Sequence, residues 1–266
     1  MKKPVYEGLM IVLLFLFMLW TSRQVNWMAV FNVEQGTRIA EEKLGELFWD
    51  VFRKADPEIQ EESVKLAVDS IIFRICTRNK VDPNEIKVHI LDKAEVNAFA
   101  LPDGHLVIYS GLILESANQE ELSGIIGHEI AHIKLNHVIK KLIKELGLAY
   151  LISVSTGNSG SAQIRDAARM LSSTAFDRSL EKEADIQAVD YLVNSNINPV
   201  PFANFLNRLA SDPDEQGSFS WISTHPESRE RAGYIIQRSE GRTLRHSPVL
   251  TQETWNNLKL KFRRDL

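Results

Sequence analysis

A single cysteine among 266 residues excludes an intrachain disulfide, so no covalent framework holds this chain. That cysteine, Cys76, lies in the apolar periodic segment 68–76 and reads as a buried core thiol rather than a ligand or nucleophile. There is no excess of positive charge either. The formal net charge is −4 and no basic motif is interleaved with aromatics, which removes the case for a nucleic-acid partner. No repeat period is visible, and no disorder-type composition dominates: 44% hydrophobic and 25% charged residues describe one substantial globular domain with appendages. Long apolar runs are absent except for one of twelve residues, Leu9 to Trp20, preceded by Lys2 and Lys3. Small residues do not fall three and one before any junction after it, and no lipobox cysteine follows, so neither kind of signal-peptide cleavage is expected. Extended from Val5 to Ser22, with Tyr6 and Trp20 at the two interfaces, the run reads as an uncleaved signal anchor. The lysine pair would hold the N-terminus in the cytoplasm and place the rest of the chain outside it, in the periplasm of a Gram-negative cell.

What is present centres on His128-Glu129-Ile130-Ala131-His132. On a helix, imidazoles four residues apart share one face and can grip one Zn²⁺, while the carboxylate beside the first is placed to act as general base. A helix is expected here. Asn118 can cap it, Glu121 falls at the reciprocal capping-box position, and Leu122, Ile125, Ile126, Ile130 and Ile133 form an apolar stripe through the motif.

A third ligand is needed. The metzincin pattern is excluded, because Val138 stands six residues beyond His132 where a histidine is required and Leu135 replaces the glycine. A second helical segment, 178–185, carries Glu181 and Asp185 at four-residue spacing, so both carboxylates face one way. Glu181 can complete a His₂Glu site, and Asp185 can accept the second ring N–H of a ligand histidine, fixing its tautomer. Glu183 competes for the ligand role but points to another side of the same helix. Ala184 permits the close approach two packed helices need.

These blocks, with Thr224-His225-Pro226, Arg231 and the upstream segment 96–105, resemble the membrane-associated gluzincin metallopeptidases of the BepA, LoiP, HtpX and OMA type, over about residues 86 to 235 and in the same order. The resemblance implies that His128, His132 and Glu181 bind one zinc ion per chain, that Glu129 is the general base and that Asp185 supports a ligand. It also implies that His225 lies near the metal, where it can occupy the fourth position and restrain activity. Asp177 before Arg178 and Asp103 in the turn before Gly104 depart from the usual Ser and Gly of that pattern, and neither touches an expected ligand. The helical-repeat domain that follows the peptidase in BepA is not expected in this chain.

Elsewhere, Leu44, Leu47, Phe48, Val51 and Phe52 predict one helix, and Asp56-Pro57 predicts the start of a second carrying Val64 to Ile75. Segments 86–91 and 105–109 predict two strands. The small sheet they begin has an edge able to pair with an extended substrate, for which Asn97, Phe99 and Ala100 are candidate contacts. Residues 142–155 predict a helix, followed by a mobile loop over the cleft around Gly157 to Ser161. From Arg242 onward six Lys or Arg face only Glu253 and Asp265, which predicts a solvated C-terminal helix with weak attraction to anionic lipid or an acidic partner.

The expected architecture is therefore α+β, a mainly helical zincin-type domain with a small sheet beside the His128–His132 helix and an N-terminal membrane anchor. Its segments are the anchor at 1–30, the peptidase domain at 31–240 and the basic tail at 241–266. The expected activity is zinc-dependent hydrolysis of misfolded or unassembled envelope proteins. The alternatives are processing of a single partner, or a chaperone-like assembly role with the metal site blocked by His225.

Overall fold

The computed structural model describes residues 33–211, 220–226, 228–242 and 246–263. The expected anchor at 1–30 lies outside the described residues. No described helix is long and apolar enough to cross a membrane. The unit that carries the site is Glu41–Leu266.

Helix α1 (Val33–Ala55) is followed by α2 (Glu62–Arg78), which buries Val64, Ala67, Val68, Ile71, Ile72, Ile75 and Cys76 along one stripe. The start of α2 at Asp56-Pro57 is corrected: the chain stays extended to Glu61. Ile59 N–H donates to Ile90 O at 2.8 Å and Asp92 N–H to Pro57 O at 2.9 Å, with Glu58 bridged to Leu91. Backbone groups here satisfy the outer edge of a strand instead of starting a helical turn, which covers that edge.

The sheet has three strands, β1 (Lys87–Leu91), β2 (Ala98–Ala100) and β3 (His105–Tyr109), in the order β1-β3-β2. β1 runs parallel to β3, and β2 antiparallel to it. Two of these were predicted; β2 was not, because three residues are too few to show an alternation. Tyr109 N–H donates to Asn97 O and Leu101 N–H to His105 O. By the alternation of an antiparallel pair, residues 97, 99 and 101 bond β3, while Val96, Ala98 and Ala100 turn their backbone groups to the outer edge. The turn between β2 and β3 holds Asp103 at φ 59° and Gly104 at φ 74°. Gly104 is required twice over, since a Cβ there would lie 1.9 Å from Glu85 O. Asp103 tolerates its left-handed backbone and accepts from the Lys87 ammonium.

After α3 (Ser110–Glu115) comes α4 (Gln119–Lys134), the helix predicted around His128. Asn118 Oδ1 accepts from Glu121 N–H at 2.9 Å, and Glu121 reaches back to Ala117 N–H at 2.8 Å. Such a cap is worth about 1 kcal/mol. The same Glu121 carboxylate is gripped bidentately by Arg208 of α9 (Val200–Ser211) at 2.8 and 2.9 Å, so the start of α4 is anchored to its neighbour. Gly124 lets the two helices meet: a Cβ there would lie 2.4 Å from the Phe202 side chain.

Residues 142–155 do not form one helix. The chain breaks at Gly147, φ 82°, into α5 (His137–Leu146) and α6 (Leu148–Ser155), and α7 (Ser161–Ser173) follows a short turn. The loop expected from Gly157 to Ser161 is that turn, with Gly157 at φ 79°. Leu142, Leu151, Val154, Ala167, Ala168 and Leu171 are buried in one cluster with Phe48, Phe52, Phe99 and Tyr109, so these helices cover one side of the sheet. The larger cluster joins α2, α4, α8 (Arg178–Asn194), α9 and α11 (Ser228–Ser239). Helix α10 (Ser220–Thr224) lies between α9 and α11 in sequence, and α12 (Gln252–Leu260) closes the described chain. The C-terminal helix is not merely solvated: Leu250, Trp255 and Leu258 are buried in the larger core, and Gln119 exchanges two hydrogen bonds with the Leu250 backbone. The whole is α+β, mainly helical with a small sheet.

Candidate metal centre

α4 and α8 cross with small residues between them. Ala131, Ala184 and Ala188 are fully buried, which brings the carboxylates of α8 within reach of the histidines of α4. His128, His132, Glu181 and His225 each offer a donor atom, and these four atoms all lie within 4.8 Å of one another. His128 Nε2 is 3.0 Å from His132 Nε2 and 3.2 Å from His225 Nδ1. Glu181 Oε1 lies 3.2 Å from His132 Nε2 and 2.9 Å from His225 Nδ1. All four side chains are buried.

Nitrogen atoms this close repel unless a proton or a cation sits among them. Burial, with the neighbouring His128 imidazole, pushes His132 well below its ordinary pKa, which leaves its ring neutral and its lone pair available. Burial alone would raise Glu181, but the His225 ring and the Arg231 guanidinium outweigh it and keep the carboxylate ionised. Imidazole nitrogens and one carboxylate are the donor set of a divalent metal in a catalytic site, so the residues present fit such an ion.

The ring nitrogens facing away from the centre are also held. His128 Nδ1 is 2.8 Å from Asp185 Oδ1. Asp185 is clamped by Arg231 at 2.7 and 2.8 Å and accepts the Tyr234 hydroxyl, and although burial opposes its ionisation, Arg231 and His128 hold it far below the usual carboxylate range. Arg231 also reaches Glu181 Oε2 at 2.7 Å and donates to His225 O at 3.0 Å. His132 Nδ1 is 3.1 Å from His137 Nδ1, whose Nε2 meets Glu183 at 3.2 Å.

Glu183 therefore stands outside the donor set, at the exposed end of a chain that backs His132, while Glu181 stands inside it. His137, Tyr234 and Trp221 carry no role in the sequence reading. Only the short spacing of His137 from His132 signalled it.

Glu129 is fully buried beside the cluster. Its Oε1 accepts from Trp221 Nε1 at 3.2 Å and lies 3.3 Å from His225 Nε2, whereas its Oε2 has no hydrogen-bond partner among the described residues. A buried carboxylate oxygen without a donor is costly, and a water molecule is the partner it would take. His225 itself lies between aromatic rings, 4.6 Å from Trp221 and 5.7 Å from Phe176, and Phe176 also stacks on His132 at 4.1 Å. Beneath Phe176 sits Lys141, bonded to Thr174 O and lowered by burial to about 8.

Comparison with known proteins decides the family. The model of peptidase family M48 matches residues 60–238. The chain belongs to that family. Its residues 60–238 are thus a metalloendopeptidase domain. The domain is 30% identical over 166 residues to metalloprotease LoiP of Escherichia coli (strain K12), covering 60% of this chain and 65% of that protein. It is 26% identical over 201 residues to the mitochondrial metalloendopeptidase OMA1 of Bos taurus, covering 68% and 38%. With the beta-barrel assembly-enhancing protease of Escherichia coli (strain K12) the identity is 23% over 230 residues, covering 75% and 46%. The chain thus spans less than two thirds of the length of each of these relatives.

Of the expected substrate contacts, Asn97 is fully buried and both atoms of its amide lack a partner among the described residues. The Phe99 ring lies in the core, 4.8 Å from Phe52 and 5.6 Å from Tyr109. Ala100 is buried too, and what it presents is the backbone on the outer edge of β2.

Proposed function

We propose that the M48 domain of this chain is a zinc-dependent endopeptidase that hydrolyses unfolded or unassembled polypeptides. The observation that carries this is the convergence of His128, His132, Glu181 and His225 on one point, with the unpartnered Glu129 Oε2 beside it. His128, His132 and Glu181 would hold the zinc, which supplies Lewis-acid polarisation of the scissile carbonyl and of the attacking water. Glu129 takes the proton from that water at Oε2 and returns it to the leaving amine. Asp185 and His137 hold the two ligand rings in register, and Arg231 ties Asp185, Glu181 and the His225 backbone together. An extended substrate would pair with the outer edge of β2 through Ala98 and Ala100, a geometry open to flexible chains and closed to folded ones.

His225 is assigned as a removable ligand. With its Nδ1 in the donor set it takes the place the attacking water needs, so the resting enzyme is slow. At matched metal content His225→Ala should cleave an unfolded substrate faster; a hundredfold drop would assign His225 to transition-state stabilisation instead.

The apolar run at Leu9–Trp20 supports membrane anchoring with the domain outside the cytoplasm, at the periplasmic face of the inner membrane in a Gram-negative cell. A relative named for enhancing beta-barrel assembly supports envelope quality control as the setting. The intact Glu129 favours this over a purely chaperone-like role. The test compares the purified protein with Glu129→Gln for metal content and casein cleavage. The variant should retain its metal and lose activity by about 10²- to 10⁴-fold, as expected for a general base; equal cleavage by the two would end the catalytic reading.

A further inference from the structure

The segment from Ser220 to His225 meets three features that a substrate must use. Val96 belongs to the set whose backbone faces the outer edge of β2, and its carbonyl accepts from Trp221 N–H at 3.2 Å. The Trp221 indole turns inward, fully buried, and its Nε1 donates to the general base Glu129 at 3.2 Å. One helical turn later His225 N–H donates to Trp221 O at 2.9 Å, and the His225 ring enters the donor set. A backbone donor on the edge strand, a side chain beside the base and a group at the metal position are what a bound peptide presents.

We propose that residues 220–225 are an internal pseudosubstrate, and that the pocket filled by the Trp221 indole is the subsite for a bulky aromatic side chain of the substrate. The proposal rests on the peptidase reading above and adds the substrate class. Its walls outside the segment are suited to a flat ring: the edges of His128 and Phe205 approach Trp221 at 5.7 and 5.9 Å, and the Arg231 guanidinium lies 5.1 Å from the ring. An aromatic residue recovers these contacts. A short side chain leaves the pocket partly empty, and an acidic one is set against Glu129. Polypeptides with an aromatic residue next to the scissile bond are therefore the class able to displace the segment. Displacement acts on all three features together, because His225 N–H holds Trp221 O at 2.9 Å and ties the two residues into one turn.

The test uses the full chain carrying Glu129→Gln, so that binding is read without turnover, and a fluorescent unfolded decapeptide with a single Trp, Ala or Asp at one central position. Anisotropy should show the Trp peptide binding at least tenfold more tightly than either the Ala or the Asp peptide. Adding Trp221→Ala should tighten the Trp peptide by a further tenfold or more, and free indole should compete in that background. Trp221→Phe keeps most of the ring and should give a gain at least threefold smaller. Equal binding of the three peptides to Glu129→Gln overturns the subsite whether or not Trp221→Ala folds, and no gain in a cooperatively folded Trp221→Ala protein overturns the pseudosubstrate. Both failures leave the peptidase assignment standing, since that is decided by the turnover of Glu129→Gln.

Discussion

Two pairs of histidines in this molecule bring ring nitrogens to about the same distance, and only one of them converges with further donors into a set that fits a metal. His128 and His132 approach at 3.0 Å; His89 and His105, on adjacent strands under α1, approach at 2.9 Å. In the first pair both nitrogens aim at a point shared with Glu181 and His225, and the opposite nitrogens are held by Asp185 and His137. In the second the groups run in line. Glu58 meets His89 at 3.1 Å, His89 meets His105, and the far nitrogen of His105 is 3.5 Å from the Lys87 ammonium and 3.7 Å from Glu46. Trp49 stacks on His89 at 3.6 Å and completes a packed polar seam. Convergence of donors, more than proximity of histidines, makes a ligand set. A line of alternating donors and acceptors satisfies itself and ends in a cation that would repel a metal.

The sharpest way to break this contrast is to remove the carboxylate from each array. Glu181→Ala deletes one of the converging donors and should abolish stoichiometric zinc in the purified protein, together with cleavage. Glu58→Ala, which removes the carboxylate at the end of the line, should leave one zinc per chain. Elemental analysis of the two variants decides it, and metal loss in Glu58→Ala would make the seam a site after all.

A smaller effect separates the supports from the ligands. Asp185→Asn keeps the shape of the group that fixes His128 but removes its charge, and should cost on the order of 10- to 100-fold in zinc affinity or activity. Glu183→Ala should cost less, because Glu183 is about half exposed and reaches His132 only through His137. Competition with a chromogenic chelator measures both. If Glu183→Ala lost its zinc while Glu181→Ala kept it, the assignment of the two carboxylates would have to be exchanged.

How far such a site can be read from sequence depends on how local its geometry is. His128, Glu129 and His132 are legible because one helix fixes all three, and Glu181 and Asp185 because a second helix puts both on one face. The cap at Asn118 was equally local. What joins the two helices was less legible: Trp221 and Tyr234 reach Glu129 and Asp185 from segments dozens of residues away, and spacing carries no trace of that meeting. The same reason accounts for β2, whose three residues become a strand only beside β3, and for Pro57–Gln60, which pairs with β1 instead of starting a helix. Trp255 and Leu258 lie in a stretch whose charge suggested a free tail, and the apolar stripe that docks it is only two turns long.

The smallest effect concerns pH and the second histidine pair. Burial, aided by the neighbouring His89 and Lys87 and opposed by Asp103, lowers His105 from 6.5 to about 4; burial also lowers His89, against the pull of Glu58. Glu46 is the other carboxylate facing this seam. As pH falls, the unfolded chain takes up a proton on this histidine before the folded one does. The stability tied to its neutral form is therefore complete above about pH 6.5, is lost as the pH drops towards about 4, and changes no further below that. For His105 alone the loss between pH 7.5 and 5.0 should be about 2 kcal/mol at most. His105→Asn removes the titrating group but keeps a polar side chain for His89, so its stability should fall less over that interval, while contributions from His132 and His137 are common to both proteins and cancel. Urea unfolding of the two proteins at the two pH values measures the difference. Parallel losses would show that the imidazole pair titrates as it does in water, and that the seam is held by packing against Trp49 rather than by its neutral hydrogen-bonded line.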